Sequence, residues 1–176
     1  MNVNDIKWKM TVLAPDIEIL PFECADKDLN EFLQNDAKNY LNSLLATTYI
    51  IQNEEDTIAY FCISHDSLNK KDEEAAKWNK INRSIPNDKR RRTYPAVKIG
   101  RLAVATKYEG YGFGRLALKA VVMMYANEQQ RAGCRFVTVD AYRSALAFYE
   151  KNDFRYLTEK DKDEETRAMY FDLKSI

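Results

Sequence analysis

Val97-Lys98-Ile99-Gly100-Arg101-Leu102-Ala103-Val104-Ala105-Thr106-Lys107-Tyr108-Glu109-Gly110-Tyr111-Gly112-Phe113-Gly114-Arg115-Leu116-Ala117-Leu118 reads as a strand, a glycine turn and the start of a helix. Val97 to Val104 is apolar and long enough for a strand. The chain has five glycines, and three of them, Gly110, Gly112 and Gly114, stand within five residues of each other. Such a turn takes backbone angles closed to other residues and has no Cβ to hold a ligand away. A helix is predicted from about Gly114 to Ala132, with Gly133 placed to end it. The first amides of a helix have no intrahelical acceptor and form its positive dipole end. Strand, turn and helix start together make a cradle suited to a pyrophosphate. A dinucleotide loop would read G-x-G-x-x-G, with an acidic residue about 20 positions on. Here the spacing is G-x-G-x-G and a long helix fills that interval. A Walker loop would place Lys and Ser or Thr after its last glycine, whereas Arg115 and Leu116 follow Gly114. A flexible turn with no ligand is the bland alternative.

Upstream, Ile17 to Leu20 is compatible with a short strand. Residues 26–44 read as an amphipathic helix, with Asp26 placed to accept from the first-turn amides. Leu29, Phe32, Leu33, Tyr40, Leu41 and Leu44 share one face at helical spacing. Thr47 to Ile51 and Thr57 to Ile63 read as strands joined through Asn53-Glu54-Glu55-Asp56 as a hairpin. Residues 66–93 are polar, with a short helix around Glu73 to Ile81, and read as an insertion over the sheet. Downstream, Phe136 to Ala141 is a strand. Ser144 is placed to cap a short helix reaching Asn152, and Phe154 to Leu157 and Ala168 to Leu173 close the pattern as strands. The order implies an α/β (α+β) fold in one domain over 1–176: a central sheet with helices packed on its faces.

Composition removes several function classes. The 176 residues are 45% hydrophobic and 31% charged, as in globular proteins. No run approaches the roughly 18 apolar residues of a membrane span, and MNVNDIKWKM lacks the apolar core of a signal peptide. The chain therefore reads as cytoplasmic, with no membrane partner. Cys24, Cys62 and Cys134 form no C-x-x-C pair and read as reduced thiols. With His65 the single histidine, Ser-His-Asp catalysis would route through one residue and a metal would find one imidazole. No metal is expected. Net charge is zero, yet residues 70–92 hold nine Lys or Arg against four Asp or Glu. The acidic run Glu159 to Glu165 offsets part of this.

Two stretches carry a family resemblance. Ile99 to Val104 with the glycine loop, Leu116 and Leu118 resembles motif A of the GNAT superfamily of N-acetyltransferases. Ala141-Tyr142-Arg143-Ser144-Ala145-Leu146-Ala147-Phe148-Tyr149-Glu150-Lys151-Asn152-Asp153-Phe154 resembles its motif B, in the same order and at the same distance. The resemblance covers roughly residues 15–173. It implies the GNAT fold: a mixed, mostly antiparallel sheet of about six to seven strands, with helices on both faces. Three positions depart from the pattern. Glu109 stands where the loop usually has a basic or amide residue, and is expected to point outward. Tyr142 replaces the motif B asparagine. Asp153 replaces the glycine before Phe154, and Asp tolerates left-handed backbone better than most residues.

The resemblance implies acetyl-CoA as cosubstrate and transfer of its acetyl group to a primary amine by direct attack. Leu102, Ala103 and Val104 would hold the pantetheine arm and thioester through main chain. Glu109, Gly110, Tyr111, Gly112, Phe113, Gly114 and Arg115 make up the pyrophosphate loop. Tyr149 matches the motif tyrosine that protonates the leaving thiolate; a neutral phenol has the donor for this. A core tyrosine is the alternative. No base stands out; His65 and Glu54 are candidates without a motif. The chain is also similar to the acetyltransferase toxins of bacterial toxin–antitoxin systems, which acetylate the amino group of charged tRNA. Pro21-Phe22 and Cys24, the polar insertion, Arg101 to Val104, and Ala147-Phe148-Tyr149 carry that likeness. Lys89-Arg90-Arg91-Arg92 would suit phosphate contacts, or be a solvated loop. The acceptor stays open between a small amine, a protein and aminoacyl-tRNA. An antitoxin protein and a second copy of the chain are the partners this implies, and a non-catalytic CoA-binding module is the other reading.

Overall fold

The computed structural model describes residues 2–69, 75–83, 85, 92–126 and 132–176. Seven strands form one mixed sheet. They are β1 (Lys9–Val12), β2 (Thr47–Gln52), β3 (Thr57–Asn69), β4 (Thr93–Val104), β5 (Phe136–Tyr142), β6 (Arg155–Tyr156) and β7 (Thr166–Asp172). Their order across the sheet is β1-β2-β3-β4-β5-β7-β6. The chain divides into two compact units, Met1–Ser64 with Ile99–Met124, and His65–Lys98 with Tyr125–Ile176.

In the first unit, β1 pairs antiparallel with β2, Lys9 opposite Gln52 and Val12 opposite Tyr49. The expected hairpin is present, with Thr47 of β2 opposite Ile63 of β3. Asn53 shapes its turn: Oδ1 accepts from the amides of Glu55 (2.9 Å) and Asp56 (2.7 Å). Ile50, Ile51 and Ile58 to Phe61 are fully buried. These strands are covered on both faces, which is why their sequence is an unbroken apolar run.

Ile17 to Leu20 is not a strand; the strand at this edge is β1. Side chains take up the carbonyls that a ladder would need. Gln52 Nε2 donates to Glu18 O (3.1 Å) and Thr57 Oγ1 to Leu20 O (2.9 Å). The predicted helix over 26–44 is present in three parts. They are α1 (Lys27–Glu31), a π turn (Phe32–Asp36) and α2 (Ala37–Asn42). Asp26 caps it as expected, accepting from Asp28 N (2.9 Å) and Leu29 N (3.3 Å). Phe32, Leu33 and Ala37 are buried. The helix stops at Leu44, whose φ of 56° is left-handed, with Leu45 N bonded back to Tyr40 O (2.9 Å).

In the second unit, β5 pairs with β7 over its whole length, Phe136 opposite Asp172 and Tyr142 opposite Thr166. β6 pairs with the same strand. Within the stretch expected as an insertion, the described residues include buried ones. β3 runs on to Asn69, and α3 (Ala75–Arg83) follows. Leu68, Trp78, Ile81, Tyr94, Ala96 and Phe136 form one buried cluster. Trp78 stacks on Tyr94, with ring centroids 5.4 Å apart. A few apolar side chains in a polar stretch are thus enough to dock it. Glu73 and Lys89 to Arg91 lie outside the described residues; Arg92 is exposed.

α4 (Phe113–Ala126) begins one residue before its predicted start; residues 127–131 lie outside the described residues, and Ala132, its predicted end, is a bend and not helical. Ser144 does not cap α5. Arg143 to Ala145 form a 3-10 turn, and α5 (Leu146–Glu150) begins beyond it, so Ser144 is not at the cap position. α5 ends at Glu150, short of Asn152, and Asp153 takes the left-handed conformation anticipated for it, at φ 66°. The acidic run is organised rather than free. Asp161 accepts from Ala168 N (2.7 Å) and Arg167 Nε (3.1 Å), and Arg143 donates to the carbonyls of Glu164 and Lys162.

Candidate functional site: a glycine-lined anion cradle

β4 delivers Leu102, Ala103 and Val104 to the start of the loop; Ala103 is buried and its two neighbours are half-buried. A 3-10 turn over Thr106–Tyr108 follows. Gly110 and Gly112 then take φ of 80° and 95°. A Cβ on Gly110 would meet nothing within 4 Å, and on Gly112 only Val3 Cγ2 at 3.4 Å. It is the backbone conformation, not crowding, that requires glycine at these two positions. The first i to i−4 bond of α4 runs from Leu116 N to Gly112 O (3.0 Å). The amides of Phe113, Gly114 and Arg115 therefore precede the helical ladder and are available to an anion. Arg115 and Glu109 are exposed, and Phe113 is buried. The loop thus offers successive amide donors of the kind an anion can use, and nothing crowds Gly110 within 4 Å of an added Cβ.

The loop rests on a polar hub whose parts lie some fifty residues apart in sequence. Tyr108, 7% exposed, receives a hydrogen bond from Asn53 Nδ2 (2.9 Å) and donates one to Asp56 Oδ2 (2.6 Å). Lys107 Nζ donates to the same oxygen at 2.6 Å. Lys107, then Tyr108, hold the Asp56 carboxyl below its usual range. Burial, then the Asp56 carboxylate, push the Tyr108 phenol up, so it stays a donor. The Tyr108 ring makes edge contacts with Tyr111 and Phe113, the residues on either side of Gly112. Trp8 packs edge-on against Phe113. On the other side, Thr106 N bonds to Glu23 O (2.9 Å), which seats the Pro21-Phe22-Glu23 strap against the turn.

Four of these anchoring residues, Asn53, Asp56, Lys107 and Tyr108, are absent from the sequence-derived candidates. Asn53 and Asp56 are visible there only as turn formers. Cys24 is buried beside this strap; burial, then Asp26 and Glu109, raise its thiol.

In the second unit, Tyr149 is 5% exposed on α5, with Phe148 and Phe154 edge-on to it at 5.2 Å. Burial alone pushes its phenol upward. The Asp153 turn closes against it, with Phe154 N bonded to Tyr149 O (3.1 Å). Of the two base candidates, Glu54 is exposed and paired with Lys7 at 3.8 Å. His65 is exposed on β3. No described helix is long and apolar enough to cross a membrane.

Comparison with known proteins bears on the fold and the family. No curated protein sequence matches the chain. Solved structures do. A bacterial toxin has a TM-score of 0.81 at 16% identity, over 97% of this chain and 93% of that one. AtaT complexed with acetyl-methionyl-tRNAfMet has a TM-score of 0.77 at 20% identity, over 96% of each chain. A mutant of KacT has 0.74 at 20% identity, over 94% and 96%. At these identities the likeness establishes the fold. The sequence model of the acetyltransferase (GNAT) domain matches residues 46–156, a span that holds the hairpin, the glycine loop and Tyr149. The chain belongs to the GNAT acetyltransferase family.

Proposed function

We propose that the chain transfers the acetyl group of acetyl-CoA to the α-amino group of an aminoacyl-tRNA. The observation that carries the cosubstrate is the cradle itself, with left-handed Gly110 and Gly112 feeding the free first-turn amides of α4. What supports the acceptor is the likeness, over nearly the whole chain, to AtaT complexed with acetyl-methionyl-tRNAfMet. AtaT is also known bound to the antitoxin AtaR. A small inhibitory protein partner and a cytoplasmic setting belong to the same reading.

Bound acetyl-CoA supplies an activated acyl carbon. Gly110 to Arg115 hold the diphosphate, and the main chain of Leu102, Ala103 and Val104 aligns the thioester. The neutral amine forms the C–N bond as the C–S bond breaks. Tyr149 gives its proton to the departing thiolate, and the proton shed by the amine goes to solvent and restores the phenol. A phenol whose pKa is raised by burial is fully protonated at neutral pH, which a donor requires. An α-amine titrates near about 7.7–8.0. A fraction of it is neutral without a strong enzymic base, which fits the exposure of both His65 and Glu54.

The test begins with the thermal shift of the purified chain on adding acetyl-CoA, with Gly112→Trp as the blocked cradle. A ligand that binds only the folded state must stabilise it. A shift of several degrees that the variant lacks supports the cradle. Transfer of labelled acetyl to charged but not uncharged tRNA supports the acceptor. A stable protein that shifts with acetyl-CoA yet labels only small amines or protein would overturn the acceptor alone.

A further inference from the structure

Arg101 is the last residue before the Leu102-Ala103-Val104 run. It is half-buried, with its guanidinium carbon 3.8 Å from the centroid of Phe32 and 5.7 Å from that of Tyr40. Among the described residues its guanidinium has no hydrogen bond and no carboxylate partner. Arg167 shows what this chain does elsewhere with a stacked arginine. It lies over the Tyr156 ring at 3.9 Å, and its fork is filled by Asp161 (3.1 Å), Glu159 (3.4 Å) and the Thr158 carbonyl (2.9 Å).

A guanidinium drawn partly out of water without a counter-charge is costly. Stacking on the ring offsets only part of that cost. The ring beneath Arg101 sits at the first residue of the π turn, and such insertions concentrate at functional sites. A positive fork with open donors, next to the residues that align the thioester, fits an anion on the acceptor.

We propose that Arg101 binds the phosphodiester next to the aminoacylated ribose of the acceptor. This rests on the aminoacyl-tRNA reading. In that acceptor the amino acid's carboxyl is esterified, so phosphate is the anion nearest the amine. The planar fork engages two phosphate oxygens at once, which a lysine cannot do.

The test compares the wild type with Arg101→Gln and Arg101→Lys on two acceptors: charged tRNA, and an aminoacyl-adenosine without phosphate. Arg101→Gln is expected to raise KM for charged tRNA about ten- to a hundred-fold, the equivalent of one charged hydrogen-bond pair. It leaves KM for acetyl-CoA and turnover of the adenosine acceptor unchanged. The slope of log KM against log salt falls by about 0.7, one phosphate contact fewer on a single strand. Arg101→Lys recovers part of the affinity and all of the slope. Equal losses on both acceptors, or an unchanged salt slope, would overturn the proposal in favour of a packing role. A wild type that acetylates the adenosine acceptor with the same KM as charged tRNA would overturn it too. Acetyl-CoA binding and acetylation of the aminoacyl group would still stand.

Discussion

Replacing Tyr108 by Phe removes one oxygen and leaves the ring, with its edge contacts to Tyr111 and Phe113, in place. Two hydrogen bonds disappear. The one from Asn53 Nδ2 (2.9 Å) is neutral and contributes about 1 kcal/mol. The one to Asp56 Oδ2 (2.6 Å) ends on a charge and contributes about 1.5–3 kcal/mol. Asp56 is not stranded, because Lys107 still donates to it at 2.6 Å, so the lower end of that range applies. The expected loss is about 2.5 kcal/mol. For a chain of 176 residues each kcal/mol moves Tm by about 2–4 °C, so Tm falls by about 5–10 °C. Denaturant titration at pH 7 measures the free energy and a melting scan the shift. Because the hub seats the cradle, the stabilisation given by a fixed acetyl-CoA concentration also falls. A double-mutant cycle with Asp56→Asn isolates the coupling. A loss under about 0.5 kcal/mol, or strict additivity in the cycle, would refute the hub as the support of the loop.

Leu44 is 92% exposed with a left-handed φ of 56°; an L side chain with a Cβ is strained there and has little packing to lose. Leu44→Gly is expected to stabilise by about 1 kcal/mol and raise Tm by about 2–4 °C in the same scan. The Asp56 carboxyl is depressed in the folded state, so its contribution is complete above the unfolded carboxylate range and lost as pH falls through the lower folded value. The stability gap between wild type and Asp56→Asn should hold constant above about pH 5 and close below about pH 4; a gap that widens toward acid contradicts the assignment. Tyr149→Phe retains the contacts to Phe148 and Phe154. Tm and acetyl-CoA affinity should therefore hold while kcat drops by about 10²–10⁴-fold; single-turnover transfer and a binding titration separate the two.

The parts of this protein that sequence reveals are those whose cause is local. Three glycines in five residues announce the cradle because positive φ is a property of the residue itself. Asp26 announces a helix start because its acceptor reaches amides two and three positions on. Asp153 was readable as a left-handed stop for the same reason. What sequence conceals depends on partners brought together by the fold. Tyr108 looks like one of eleven tyrosines until the hairpin sets Asn53 and Asp56 against it. Ile17 to Leu20 has the composition of a strand and is not one, because Gln52 and Thr57 take its carbonyls. Trp78 and Ile81 sit on the short helix expected in a polar stretch, and Leu68 and Tyr94 give them buried neighbours that composition does not announce. The same division applies to Arg101. Its place before Leu102 is in the sequence, but its meaning lies in the missing counter-charge, and that appears only when Phe32 is found beneath it and no described carboxylate beside it. A charge that no described residue pairs is what the Arg101 proposal explains, and the phosphate-free acceptor is the comparison that separates that explanation from packing on Phe32.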